Sequence, residues 1–135
     1  MGALAAPLAG LNIVTADDDM RMRQFYLEVL RRLGHSVVTS AADGRELVEA
    51  CLSHNVDLVI TDVKMPNLSG IEAAHLITAE TALPFVFVSA YHDEELISDA
   101  SMRFSYGYLV KPIKQEDLAA LIPIAISRFR EQEAS

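Results

Sequence analysis

The chain holds a single cysteine, Cys51, so neither a disulfide framework nor a Cys-rich zinc site can form within it. That usage fits a reducing, cytoplasmic compartment. Basic residues are scarce: 11 Lys and Arg stand against 19 Asp and Glu, a formal net charge of -8. Such a surface repels phosphate backbones, which argues against direct nucleic-acid binding by this segment. No run reaches the ~18 uncharged apolar residues that a bilayer span requires, and the opening MGALAAPLAG has no basic region ahead of it. No membrane association is expected, and residues 1–10 read as a flexible lead-in. Six Gly and five Pro are too few for collagen-like or low-complexity sequence. Neither G-x-x-x-x-G-K-[ST] nor G-x-G-x-x-G occurs, which removes the two common nucleotide-binding loops.

What is present is enough apolar sequence for one packed domain: 51% of the 135 residues are hydrophobic and 22% charged. Residues 11–16 (LNIVTA) form a short apolar run that ends on Asp17, Asp18 and Asp19, as a buried strand does on leaving the core. Apolar residues then recur three and four apart at Met22, Phe25, Tyr26, Val29, Leu30 and Leu33, a helical stripe that Gly34 stops. Val37 and Val38 mark a second strand, and Asp43 with Glu46 carries the side chains of a capping box for a second helix. Residues 56–61 (VDLVIT) read as a third strand, ending at Asp62. Ser69 and Glu72 open another helix through about Glu80. Residues 84–89 (PFVFVS) are a fourth strand, 93–102 a weaker helix, and 107–110 (GYLV) a fifth strand. A closing helix carries Leu118, Leu121, Ile122, Ala125, Ile126 and Phe129 on one stripe, with Pro123 expected to kink or restart it.

Five strands alternating with five helices over short connections imply right-handed crossovers and a doubly wound α/β sheet, parallel and covered by helices on both faces. Ligands of such sheets bind at the carboxyl ends of the strands. The exits here are unusually polar. The first delivers Asp17 to Asp19 and the third Asp62, so neighbouring strands would gather three or more carboxylates, whose repulsion a hard divalent cation relieves. The fourth exit supplies the Ser89 hydroxyl and the fifth Lys111, followed by Pro112. A metal, a hydroxyl and an ammonium around one carboxylate suit phosphoryl oxygens, with the carboxylate as nucleophile. Each feature alone is an ordinary turn or helix cap; the succession of four is not.

In these motifs the chain resembles the receiver domains of bacterial two-component response regulators, over residues 11–131 with 132–135 as a tail. Asp17-Asp18-Asp19 looks like the family's acidic cluster, Asp62 stands where its phosphorylated aspartate does, and residues 64–70 (KMPNLSG) resemble the loop that follows. Ser89-Ala90 and residues 108–112 (YLVKP) resemble the hydroxyl, aromatic switch and lysine positions. The resemblance implies a flavodoxin-like (βα)5 fold with strand order 2-1-3-4-5. It implies Mg2+, or Mn2+, on Asp17, Asp18, Asp62 and the backbone carbonyl of Lys64. Asp62 would become the acyl phosphate, taking its phosphoryl group from a sensor histidine kinase or phosphotransfer protein. Ser89 and Lys111 would hold the oxygens, and Ser89 with Tyr108 would switch the face of the fourth helix, fifth strand and fifth helix toward an output domain or partner. A homodimer stays open. Residues 121–131 resemble the last receiver helix of ANTAR-type antitermination regulators, where it runs on into a coiled coil and an RNA-binding bundle. Two positions depart from the family pattern: Phe104 replaces a common Gly before the fifth strand, and Tyr91 is bulky enough to cover a phosphoryl group. An aspartyl phosphatase would instead need a second Asp two residues after the nucleophile, where Lys64 stands. A receiver-like interaction module that works without phosphorylation would not need the complete set of site residues.

Overall fold

The computed structural model describes residues 8–90 and 104–134. The expected helix over 93–102 and Tyr91 lie outside the described residues. Five strands, β1 (Asn12–Ala16), β2 (Ser36–Ala41), β3 (Leu58–Asp62), β4 (Phe85–Ser89) and β5 (Ser105–Val110), form one parallel sheet in the order β2-β1-β3-β4-β5. Four helices are described: α1 (Met20–Arg32), α2 (Gly44–Ser53), α3 (Gly70–Thr78) and the closing α4 (Gln115–Ala134), which extends into the segment read as a tail.

The sheet is apolar on both sides because both sides are covered. Ile13, Leu58, Ile60, Val86 and Val88 point to one face, where Tyr26, Val29 and Leu30 of α1 meet Leu118, Ile122 and Ile126 of α4. Val14, Val59, Phe85 and Phe87 point to the other, against Leu47 and Cys51 of α2 and Ala73, Ala74 and Ile77 of α3. Alternation along each strand sends successive side chains to opposite layers. Every residue of β3 and β4 is buried, and the outer strands β2 and β5 are only half so. Truncating a large member of either layer to Ala costs about 2–5 kcal/mol. Phe104, the departure noted before β5, is a packing residue: its ring stands edge-on to Phe85 at 5.7 Å and to His75 at 5.1 Å.

Helix starts follow the capping residues closely. Asp19 accepts from the Arg21 amide at 2.9 Å, and Ser69 and Glu72 close a reciprocal capping box, both bonds at 3.0 Å. The second expected box is only half closed. Asp43 accepts from the Glu46 amide at 2.9 Å, but the Glu46 carboxylate accepts from Ala42 N–H at 2.7 Å, one residue early. The extended backbone of Asp43 (φ -154°, ψ 176°) presents the preceding amide to it instead. Gly34 ends α1 at φ 90°, a left-handed value open to glycine. Pro123 does not interrupt the closing helix: α4 runs through it. The proline forfeits the bond to the Ala119 carbonyl, and both residues are solvent-exposed, so that acceptor is open to water.

Candidate functional site

Parallel pairing of β1 with β3, Ala16 opposite Thr61, brings the two acidic exits side by side. Asp17, Asp18 and Asp62 each offer a carboxylate oxygen within 4.8 Å of the others. Asp17 is fully buried and Asp62 nearly so, while Asp18 faces solvent. Asp19 stands apart, its side chain spent on the α1 cap. The Asp17 carboxylate is fixed by the Asp19 amide, which donates to Oδ1 at 2.9 Å, and its backbone carbonyl by Arg23 Nη1 at 3.0 Å.

Lys111 leaves β5 into the same space. Its Nζ lies 3.0 Å from Asp17 Oδ2 and 3.1 Å from Asp62 Oδ2, the latter a hydrogen bond. The contact to Asp17 is an ion pair, and a carboxylate oxygen that meets one ammonium keeps a second lone pair to offer. Three carboxylates against one ammonium leave two negative charges, which one divalent cation balances. Burial, then repulsion from Asp17, raises the Asp62 carboxyl above its ordinary pKa despite the opposing pull of Lys111. Burial by itself lowers the Lys111 pKa, yet Asp17 and Asp62 together outweigh it and hold the ammonium charged. Hard oxygen donors, partly buried and partly open to water, fit Mg2+ or Mn2+, which keep several waters and take one or two carboxylates.

Ser89 is buried at the β4 exit, where Val88 pairs with Asp62 and the Lys111 amide donates to the Ser89 carbonyl at 2.8 Å. Its hydroxyl donates to the Tyr108 hydroxyl at 2.8 Å. Tyr108 therefore begins half-buried and engaged with Ser89, not as a free exposed ring. Lys64 sits two residues past Asp62 on the loop to α3, side chain exposed. That loop is held tightly at both ends. The Gly70 amide donates to the Val63 carbonyl at 2.8 Å, and a Cβ on Gly70 would lie 2.1 Å from the Asp62 carbonyl oxygen, so only glycine lets α3 begin there. Asn67 adopts φ 70° and donates from Nδ2 to Asp43 Oδ2 at 2.7 Å, mooring the loop to the α2 cap. With the Glu46 amide first and the Asn67 amide adding to it, Asp43 is held below the ordinary carboxyl range.

The residues expected at the strand exits thus converge, Asp19 excepted in the role already given to it. Sequence reading did not find Arg23, the Asn67–Asp43 tie or the polar side of Tyr26. Tyr26 was visible only as one member of the apolar α1 stripe. Its ring is fully buried in the α1 layer, its hydroxyl has no protein partner, and burial, then the charges of Asp17 and Asp62, holds the phenol well above its usual pKa.

The sequence profile of the response regulator receiver domain matches residues 13–123. The chain belongs to this family. It is 40% identical over 119 residues to the transcriptional regulatory protein PdtaR of Mycobacterium tuberculosis, covering 88% of this chain and 58% of that protein. It is 34% identical over 125 residues to a protein-glutamate methylesterase/protein-glutamine glutaminase of Haloarcula marismortui, covering 91% of this chain and 32% of that one. The receiver domain therefore spans little more than half the length of the first relative and a third of the second. The crystal structure of a response regulator receiver domain protein from Clostridium thermocellum superposes with a TM-score of 0.77 at 31% identity, covering 93% of this chain and 99% of that one. The strand order 2-1-3-4-5 read from the resemblance is the order found, and the family is that of a two-component signalling domain. Among the described residues no helix is long and apolar enough to cross a membrane.

Proposed function

We propose that this receiver domain accepts a phosphoryl group on Asp62 from a sensor histidine kinase or phosphotransfer protein, with Mg2+ or Mn2+ held by Asp17, Asp18, Asp62 and the Lys64 carbonyl. The observation that carries the reading is the Lys111 ammonium set between Asp17 and Asp62 at 3.0 and 3.1 Å, beside a third carboxylate at the strand exits. When bound, the ion supplies Lewis-acid neutralisation of the carboxylates and of the incoming anion. An Asp62 carboxylate oxygen attacks phosphorus, the bond to the donor imidazole nitrogen breaks, and the imidazole leaves with the electron pair. The Lys111 ammonium is placed to follow the charge from Asp62 onto a phosphoryl oxygen. Ser89 serves a second oxygen by turning its proton from Tyr108 and moving toward the phosphoryl group, which links occupancy of the site to the tyrosine on β5 and so to the surface of β5 and α4. Likeness to PdtaR, together with the resemblance of residues 121–131 to the last receiver helix of antitermination regulators, supports a cytoplasmic role in transcriptional regulation through a linked module or partner.

The test is phosphate incorporation from a small phosphodonor with Mg2+, with and without chelator, in wild type and Asp62→Asn, with the label located by mass. Labelling of wild type alone, lost with chelator, is expected; equal labelling of the variant at the same site sinks the assignment. A beryllofluoride-bound structure, the fluoride complex standing in for the phosphoryl group, reads the switch: Ser89 should leave Tyr108, and an unbroken Ser89–Tyr108 bond refutes that route.

A further inference from the structure

At the floor of the acidic site, polar atoms of β1 and α1 lie behind the groups that would meet the phosphoryl anion. Among the described residues three buried side-chain oxygens have hydrogen-bonding capacity left over: Thr15 Oγ1 and the Tyr26 hydroxyl, which meet no partner, and Asp17 Oδ2, whose close polar contact is the Lys111 ammonium at 3.0 Å. Buried polar groups in folded proteins are nearly always satisfied, by protein or by internal water. Three such atoms in one region therefore call for a common explanation.

Their placement supplies it. Thr15 and Asp17 are two apart along β1 and its exit, hence on the same face, and Ile13 on that face packs in the same layer as Tyr26. Chain direction reverses at Asp18–Asp19, so α1 runs back along β1. Tyr26 lies six residues into α1, roughly 9 Å along its axis, and a long helical side chain leans toward the helix N-terminus. That direction returns its hydroxyl toward Asp17. Phenol charge coupling to both Asp17 and Asp62 agrees with this position. Tyrosine is also an odd choice in a stripe otherwise made of Met, Phe, Val and Leu, since Phe fills the same space with no hydroxyl to satisfy.

We infer that Tyr26 is a positioning residue for Asp17: its hydroxyl, Thr15 Oγ1 and Asp17 Oδ2 share an internal water that holds the buried carboxylate in its orientation toward the cation. Tyr26 acts here through Asp17 and does not touch the phosphoryl group. A water in this place has three polar partners, the usual number. The inference rests on the reading of Asp17 as a metal ligand, so its test includes an arm without metal.

The experiment compares wild type, Tyr26→Phe, Thr15→Val and the double variant. In chelator, removing the Tyr26 hydroxyl should lower Tm by roughly 3–5 °C, because a satisfied buried group is lost; an unchanged or raised Tm means a dry, unpartnered hydroxyl and overturns the network. The double variant should lose less than the sum of the single losses, as expected for groups sharing one water; strict additivity overturns the sharing. With Mg2+ alone as the probe, Tyr26→Phe should bind the ion about tenfold more weakly than wild type, the scale of outer-shell effects on metal affinity. Equal affinity overturns the positioning role, since packing is the same in both proteins. If wild type itself binds no Mg2+, the metal reading of Asp17 fails, and the positioning role fails with it, while the chelator arm still reports on the network.

Discussion

Replacing Lys111 by Met separates two consequences of the ammonium that act in opposite directions. Methionine keeps an unbranched apolar stem and removes the charge. The Lys111 side chain is 26% exposed, against 0% for Asp17 and 10% for Asp62, so the variant leaves two nearly buried carboxylates facing each other. Breaking a buried pair by deleting one partner costs about 3–5 kcal/mol. The lower end applies because the ammonium is a quarter exposed and Asp62, already raised in pKa, can take up a proton. An unfolding entropy of roughly 2.1 cal/mol/K per residue over 135 residues converts about 3 kcal/mol into a Tm lower by about 10 °C. Mg2+ binding should move the other way. The ammonium occupies the oxygens the cation needs, and unit charges 4 Å apart interact by about 1 kcal/mol in water and about 4 kcal/mol at an effective dielectric of 20. Relief of 1.4 kcal/mol, within that span, is tenfold in affinity, so Lys111→Met should bind Mg2+ at least about tenfold more tightly. Thermal denaturation by circular dichroism in chelator and a Mg2+ titration measure both quantities. An unchanged Tm in chelator, or weaker Mg2+ binding, refutes the view that Lys111 holds the place of a cation between Asp17 and Asp62.

Asp62→Asn in the metal-free protein should be more stable than wild type at pH 7. The folded-state pKa of Asp62 lies above its ordinary 3.8, so the folded state holds the extra proton and wild-type stability falls as pH rises through that window. The variant's advantage should fade as pH drops toward the ordinary carboxyl value, and a constant or reversed difference across a pH series of denaturation curves contradicts the sign. Asp18→Ala should weaken Mg2+ binding strongly at little cost in stability, whereas Asp19→Ala should do the reverse, losing about 1 kcal/mol of helix capping. Comparing Mg2+ titrations and denaturation midpoints decides this, and matching behaviour of the two variants ends the distinction. Gly70→Ala should destabilise by about 2 kcal/mol or more, because its Cβ meets the Asp62 carbonyl at 2.1 Å. Its amide chemical shifts should change around residues 62–70, and a neutral substitution there would contradict the close approach of α3 to β3.

The sequence alone determined the sheet and the kind of chemistry at its edge. Apolar runs such as residues 58–61 and 85–88 can only be covered on both faces, which demands a parallel sheet flanked by helices. Asp43 and Ser69 marked two helix starts because a short side-chain acceptor is what an open helix end requires. The acidic exits, Ser89 and Lys111 were legible because polar residues at the ends of buried strands have no packing reason to be there. Tertiary structure decided what depends on distance between segments far apart in the chain. Local rules gave no way to see that Lys111 would reach Asp17 and Asp62 together, or that Ser89 would spend its hydroxyl on Tyr108. The same holds for Asn67, whose tie to Asp43 joins two loops that share no local pattern. Proline ends helices in isolation, but the exposed position of Pro123 on α4 makes the lost bond cheap. Tyr26 shows the limit most clearly: periodicity reports which face a side chain takes, not what its last atom meets when it arrives.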